Sequence, residues 1–176
     1  VPIICVGNIT AGGTGKTPTV EMLVEHYSKI YNIAVLSRGY GRKTKGRYRE
    51  VNVDDTYRMV GDEPLQIKQK FPNVKVVVCA NRVFAINRIL EESPEIDMII
   101  MDDGFQHRYV NARINVVIID STRPYYEDDF LPAGTLRDKI SSLDRAHYFI
   151  VTKCPTDMQP LDQRIWRKNL HKIAYQ

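Results

Sequence analysis

The sequence predicts an α/β protein, a mostly parallel β-sheet flanked by helices on both faces. Three observations carry that expectation. Apolar, β-branched runs of strand length recur along the chain: VPIICV (1–6), IAVLS (33–37), VKVVVC (74–79), IDMIIMDD (96–103), INVVIID (114–120) and HYFIVTK (147–153). Stretches of helical periodicity alternate with them, which is the pattern of crossover connections between parallel strands. The strand runs are also apolar throughout rather than at every second residue, as strands buried on both faces are.

The first strand leads into GNITAGGTGKTP (7–18), and VEMLVEHYSKI follows, with Val20, Leu23, Val24, Tyr27 and Ile30 at helical spacing. Strand, glycine-rich turn and helix in that order are the context of a phosphate-binding P-loop. Gly12, Gly13 and Gly15 permit positive φ and leave no side chain in the way. The amides around Thr14 can then converge on phosphate oxygens at the positive end of the helix dipole. Lys16 is placed to reach the β/γ-phosphates, and the Thr17 hydroxyl to ligate Mg²⁺. Thr10 stands where the consensus has its first glycine. A left-handed residue there would cost a non-glycine about 1–2 kcal/mol, so the loop is expected to begin in another shape.

Among the remaining elements, VNV (51–53) reads as a short edge strand and GDEPLQIKQKF (61–71) as a helix with Pro64 in its first turn. ANRVFAINRILEE (80–92) reads as an amphipathic helix through Val83, Ile86, Ile89 and Leu90, and LDQRIWRKNLHKI (161–173) as the last helix. The stretch 121–139 is the longest irregular segment, and loops of that length are often functional.

At 176 residues with 43% hydrophobic content, one α/β domain with a sizeable core is expected. No apolar run has transmembrane length and no signal-peptide pattern opens the chain. Val1 enters a strand at once, so a natural N-terminus upstream of it is expected. Cys5, Cys79 and Cys154 have no CxxC or Cys/His spacing, which points to reduced cytosolic thiols and no structural zinc. The net charge is +4, but residues 38–49 concentrate Arg38, Arg42, Lys43, Lys45, Arg47 and Arg49 without an acid. Such a run is either a solvated loop or a dock for an anionic partner.

Asp102 and Asp103 end an apolar strand, where a P-loop enzyme keeps its second Mg²⁺ handle. An Asp-Gly turn can also simply close a strand, but the upstream loop favours metal binding. His107 in the same turn reads as a surface or hydrogen-bonded histidine. Asp62 and Glu63 sit at a loop–helix junction, where acids offset the dipole; the alternative is a general base. Arg82 and Arg137 can approach the phosphates from strand ends, although arginines there are more often solvent-facing. TKCP (152–155) resembles the guanine-reading NKxD loop but lacks its Asp, which favours ATP.

Taken in order, VGNITAGGTGKTP, LSRGYGR, VGDEP, ANR, MDDGFQH, DFLPAGTLRD and VTK resemble the tetraacyldisaccharide 4′-kinase (lipid A 4′-kinase) family over Gly7 to Lys153. The resemblance implies a P-loop NTPase-like fold and ATP- and Mg²⁺-dependent phosphorylation of a tetraacylated glucosamine disaccharide 1-phosphate, the lipid A precursor, to lipid IVA. It also implies work at the cytoplasmic face of the bacterial inner membrane, next to an anionic surface and not nucleic acid. It makes Lys16 and Thr17 ligands of phosphate and Mg²⁺, Asp102 and Asp103 the Walker B acids, and Asp62 the general base, and it gives Arg82 and Arg137 phosphate charge to handle. Asp138, a metal candidate, stands where the family more usually has Glu. The family's Thr at the first-glycine position accounts for Thr10. Residues 1–176 are thus expected to be a P-loop kinase domain. The family's N-terminal anchor and its C-terminal part, which supplies a histidine partner for the base, are expected outside them. Residues 1–176 alone would then bind nucleotide but transfer phosphate weakly. A rival reading is a nucleotide-driven switch of the partitioning-ATPase type, whose signature Lys before the two glycines is Ala11 here. A second is another small-molecule kinase or ligase of the same fold.

Overall fold

The computed structural model describes residues 1–43 and 48–174; Lys45 and Arg47 of the basic run lie outside the described residues. Among the described residues seven strands form one sheet: β1 (Ile3–Gly7), β2 (Ile33–Ser37), β3 (Tyr48–Glu50), β4 (Lys75–Cys79), β5 (Met98–Asp102), β6 (Ile114–Asp120) and β7 (Tyr148–Thr152). Their order is β3-β4-β2-β5-β1-β6-β7, and every pairing is parallel except that of β3 with β4. The helices are α1 (Lys16–Tyr27), α2 (Tyr57–Val60), α3 (Asp62–Lys70), α4 (Arg82–Glu92) and α5 (Pro160–Ala174).

Strand alternation divides the core between the two faces. Val6, Val35, Ile100 and Ile118 pack with Val20 and Val24 of α1 and Ile67 of α3. On the opposite face Leu36, Val77 and Ile99 meet Ala85 and Ile89 of α4, and Cys5, Met101, Val117 and Ile119 share a cluster with Trp166 of α5. Because the six main strands are parallel, Gly7, Ser37, Cys79, Asp102, Asp120 and Thr152 all end on one side of the sheet. Ligands of open α/β sheets bind beyond those ends. The register places Val6 beside Asp102 and Leu36 beside Met101. The turns after β1, β2 and β5 are thereby neighbours. No helix among the described residues is long and apolar enough to cross a membrane.

Several expectations shift for local reasons. The edge strand is Tyr48–Glu50 and not 51–53: Asp55 accepts from the Asn52 N–H at 2.9 Å and turns the chain away just after Val51. Helix α1 ends at Tyr27, which leaves Ile30 outside it and 65% exposed. In α4 the inward residues are Arg82, Ala85 and Ile89, while Val83 faces out; an arginine occupies a core position that apolar spacing assigns to its neighbour. Residues 121–139 are irregular as expected, and they act as a clamp on the loop after β1. They hold a 3₁₀ turn at Tyr125–Glu127 and bridge Leu136 to both Phe130 and Thr10. The Ala11 N–H donates to Thr135 O (2.7 Å) and the Arg137 N–H to Ile9 O (2.8 Å).

The close approach of β1 to the turn after β5 needs Gly7. A Cβ there would lie 2.5 Å from Phe105 Cβ and 3.0 Å from its backbone nitrogen. Gly7→Ala is expected to destabilise the fold by about 1–3 kcal/mol, the range of overpacked cores, read as a lower urea midpoint. An unchanged midpoint would mean that the turn moves freely off the strand.

Candidate active site at the carboxyl ends of the strands

The loop between β1 and α1 takes its shape from two glycines. Gly12 and Gly15 have φ of +100° and +93°, while Gly13, also expected to use positive φ, does not. A Cβ at Gly13 would meet nothing within 4 Å among the described residues, and Gly13 is exposed. Thr10 avoids the left-handed region as expected and pairs with Leu136 instead. Helix α1 starts from Gly15 with no side-chain cap and no acid in its first turn. By contrast, α4 is capped by Asn81, whose Oδ1 accepts from the Phe84 N–H at 3.0 Å, and α3 has Asp62 and Glu63 in its first turn. The amides and dipole of α1 are therefore left uncompensated at the loop.

Around that helix end the structure gathers charged groups from three chain segments. Lys16 Nζ lies 3.5 Å from Asn8 Oδ1 and 3.8 Å from Asp103 Oδ1. Arg137 binds Asp103 through both terminal nitrogens, with Nη1 to Oδ2 at 3.1 Å, and also reaches Asn8 Oδ1. Burial pushes the Asp103 carboxyl up, but Arg137, followed by Lys16 and Arg82, outweighs it and holds the group below the usual carboxylate range. Asp102 is fully buried. Its Oδ2 accepts from the Ser37 hydroxyl at 3.1 Å, and its Oδ1 has no hydrogen-bond partner among the described residues. Burial, then the Glu63 and Asp103 charges, push its pKa up to about 6. Such a half-satisfied carboxylate suits a bound cation.

The other expected residues fall into different settings. Thr17 is half-buried in the first turn of α1. Arg82 is 2% exposed and donates to the carbonyls of Cys79 and Asp102, tying β4 to β5. Asp62 is exposed at the start of α3, where its Oδ1 accepts from the Glu63 N–H at 3.0 Å. His107 is half-buried, and burial, then Arg82 and Arg38, lower its pKa. Asp138 belongs to another network. Its Oδ1 accepts from the Ser142 hydroxyl at 2.7 Å, and the carboxylate pairs with Arg108 (3.9 Å) and Arg145 (3.7 Å). In the basic run, Arg49 is paired with Asp55 at 2.5 Å, whereas the Lys43 N–H donates to Arg58 O at 2.7 Å and fastens the loop to α2.

The family model described as tetraacyldisaccharide-1-P 4′-kinase (LpxK) matches residues 1–175. The chain belongs to this family. It is 46% identical over 178 residues to the tetraacyldisaccharide 4′-kinase of Phocaeicola vulgatus, covering 100% of this chain and 48% of that protein. With the Porphyromonas gingivalis enzyme of the same name the identity is 47% over 178 residues, covering 100% and 50%. A crystal structure of LpxK from Aquifex aeolicus in complex with ATP superposes with a TM-score of 0.78 at 34% identity. That match covers 87% of this chain and 48% of the Aquifex chain. The chain spans about half the length of the curated relatives it matches. The fold is the P-loop NTPase-like α/β sheet that the motif order implied.

Sequence reasoning missed Asn8, Ser37, Thr152 and the pair Asp120–Lys153. Thr152 donates its hydroxyl to Thr14 O at 2.7 Å, and its methyl carbon would lie 3.2 Å from a Cβ at Gly15. Arg123 lies against Gly12, where a Cβ would be 3.3 Å from its Nη2, and pairs with Asp120. The signal for these residues was their place at strand ends, but no spacing rule connects them.

Asp120 is 2% exposed and accepts from Lys153 Nζ at 2.6 Å and Thr122 Oγ1 at 2.7 Å. Burial pushes its carboxyl up, but Lys153 and Thr122 prevail and hold it far below the usual range. A carboxyl depressed in the folded state adds stability above its unfolded pKa of about 4, and that stability is lost as pH falls toward the folded value. Asp120→Asn is expected to lower the denaturation midpoint at neutral pH and to flatten its decline below about pH 4. An acid limb as steep as that of the wild type would remove Asp120 as its source.

Proposed function

We propose that residues 1–176 form the P-loop kinase domain of an ATP-dependent enzyme that phosphorylates the 4′-hydroxyl of tetraacyldisaccharide 1-phosphate in lipid A biosynthesis. The observation that carries this reading is the meeting, in a member of the kinase family, of an uncapped α1 N-terminus with Lys16, Arg137 and the half-satisfied Asp102. The backbone from Thr10 to Thr17, with Gly12, Gly13, Thr14 and Gly15 between, cradles the ATP phosphates, and Lys16 neutralises the β/γ charge.

The residues present fit Mg²⁺. Asp102 offers a buried open oxygen and Thr17 a hydroxyl, with Asp103 beside them. Among the described residues no three His, Cys, Asp or Glu side chains form a cation cage, which agrees with an ion held by one or two protein groups plus phosphate and water. When bound, Mg²⁺ would neutralise phosphate charge during transfer. Asp138, engaged by Ser142, Arg108 and Arg145, is left out of this set.

Asp62, exposed at the start of α3, orients the acceptor hydroxyl and takes its proton. The hydroxyl oxygen then bonds to the γ-phosphorus as the bond to the β–γ bridging oxygen breaks, and ADP leaves. Arg137 stabilises the charge spread over the transferring group, while the buried Arg82 adds field from behind Asp102. Arg38, Arg42 and Lys43 receive the substrate's 1-phosphate or anionic headgroups at the cytoplasmic face of the inner membrane. Family membership does not favour the partitioning-ATPase alternative.

The test uses the intact protein in detergent–phospholipid micelles with labelled ATP, Mg²⁺ and tetraacyldisaccharide 1-phosphate. Lys16→Ala and Asp62→Ala are each expected to lower phosphate transfer to the lipid about 100-fold or more. Changing Arg38, Arg42 and Lys43 to Gln is expected to raise the apparent lipid KM and leave the ATP KM alone. ATP hydrolysis without a phosphorylated lipid would overturn the kinase reading.

A further inference from the structure

We infer that Asn8 is the positioning residue that holds Lys16 and Arg137 toward the phosphate site, and that it must be uncharged to do so. The inference rests on the kinase reading of the loop. Asn8 follows β1, is fully buried, and contacts the glycine loop, the start of α1, the turn after β5 and the clamp. Its Nδ2 donates to Thr14 Oγ1 at 2.8 Å. Its Oδ1 accepts from Arg137 Nη2 and faces Lys16 Nζ at 3.5 Å. Its backbone carbonyl accepts from Gln106 Nε2 at 2.8 Å and from Arg137 Nη2 at 3.4 Å. Two cations on one side of the carboxamide fix its orientation: oxygen toward Lys16 and Arg137, nitrogen toward Thr14.

The requirement for neutrality follows from counting charges. Lys16 and Arg137 bring two positive charges to the helix end. Asp103, which binds Arg137 through both oxygens and lies 3.8 Å from Lys16, offsets one of them. Asp102 adds an anion whose open oxygen is assigned to the cation. One positive charge is then left for a phosphate. A carboxylate at position 8 would have the same shape as the carboxamide and would also point an oxygen at both cations. It would bind them as strong charge-assisted pairs and cancel the remaining charge. A neutral oxygen orients the same two side chains through weaker bonds that a phosphate can displace.

The test compares Asn8→Asp with Asn8→Ala in the intact protein, reading ATP affinity, phosphate transfer and thermal midpoint. A merely structural asparagine is replaced better by Asp, whose second oxygen can accept from the Thr14 hydroxyl, than by Ala. The expected order is the reverse. Asn8→Asp should weaken ATP binding about tenfold or more with a midpoint near that of the wild type, from like charge set against phosphate. Asn8→Ala should lower kcat more than it raises the ATP KM, because Arg137 loses its aim. Wild-type affinity in Asn8→Asp, or a weaker ATP complex in Asn8→Ala than in Asn8→Asp, would overturn the inference. Failure of the wild type itself to bind ATP would instead bring down the kinase reading on which it rests.

Discussion

The two-toothed pair between Arg137 and Asp103 holds the site together. Asp103 sits just past β5 with φ of +48°, a left-handed position that few residues besides glycine, Asn and Asp adopt. Arg137 comes from the far end of the segment after β6, and its backbone N–H is itself bonded to Ile9 O. One ion pair thus draws the turn after β5, the loop after β1 and the clamp at 128–137 to a single point. Arg137 is also the first of the cations, ahead of Lys16 and Arg82, that hold the Asp103 carboxyl below the usual range against its burial.

The clamp explains how the loop between β1 and α1 tolerates Thr10. A glycine at that point normally lets the backbone turn by itself. Here the turn is supported from outside: Thr10 and Ala11 run alongside Leu136 and Thr135, and Thr152 holds Thr14 from the other side. The geometry of the phosphate loop is therefore distributed over four strand ends, and only Gly12 and Gly15 need left-handed backbone.

That distribution explains what could be read from the chain and what could not. Continuous apolar runs located the six parallel strands to within a residue or two, because burial on both faces leaves little choice of composition. The glycine loop, Lys16 and the strand-end acids were legible for a similar reason: local chemistry restricts which residues fit. The short edge strand was misplaced because its end is set by the Asp55 side chain and not by its own pattern. Asn8 was invisible as a hub, since its partners lie 6, 8, 98 and 129 residues away along the chain and only the strand register brings them together.

The two arginines make the same point in terms of burial. On sequence alone Arg82 and Arg137 were equivalent strand-end cations. Arg82 opens α4 on its inward face and spends its guanidinium on the carbonyls of Cys79 and Asp102, with its Nε buried and unpartnered. A buried charge of that kind is tolerable only against nearby anions, and burial lowers the Arg82 pKa against the opposing pull of Asp102 and Asp103. Asp102 and Asp103 therefore supply the charge that makes the buried Arg82 tolerable. Its bonds to the Cys79 and Asp102 carbonyls tie the end of β5 to that of β4. Arg137, half-buried, instead bonds side chains, those of Asp103 and Asn8. Depth in the sheet, rather than residue type, separates the arginine that ties strand ends together from the one left partly open to solvent.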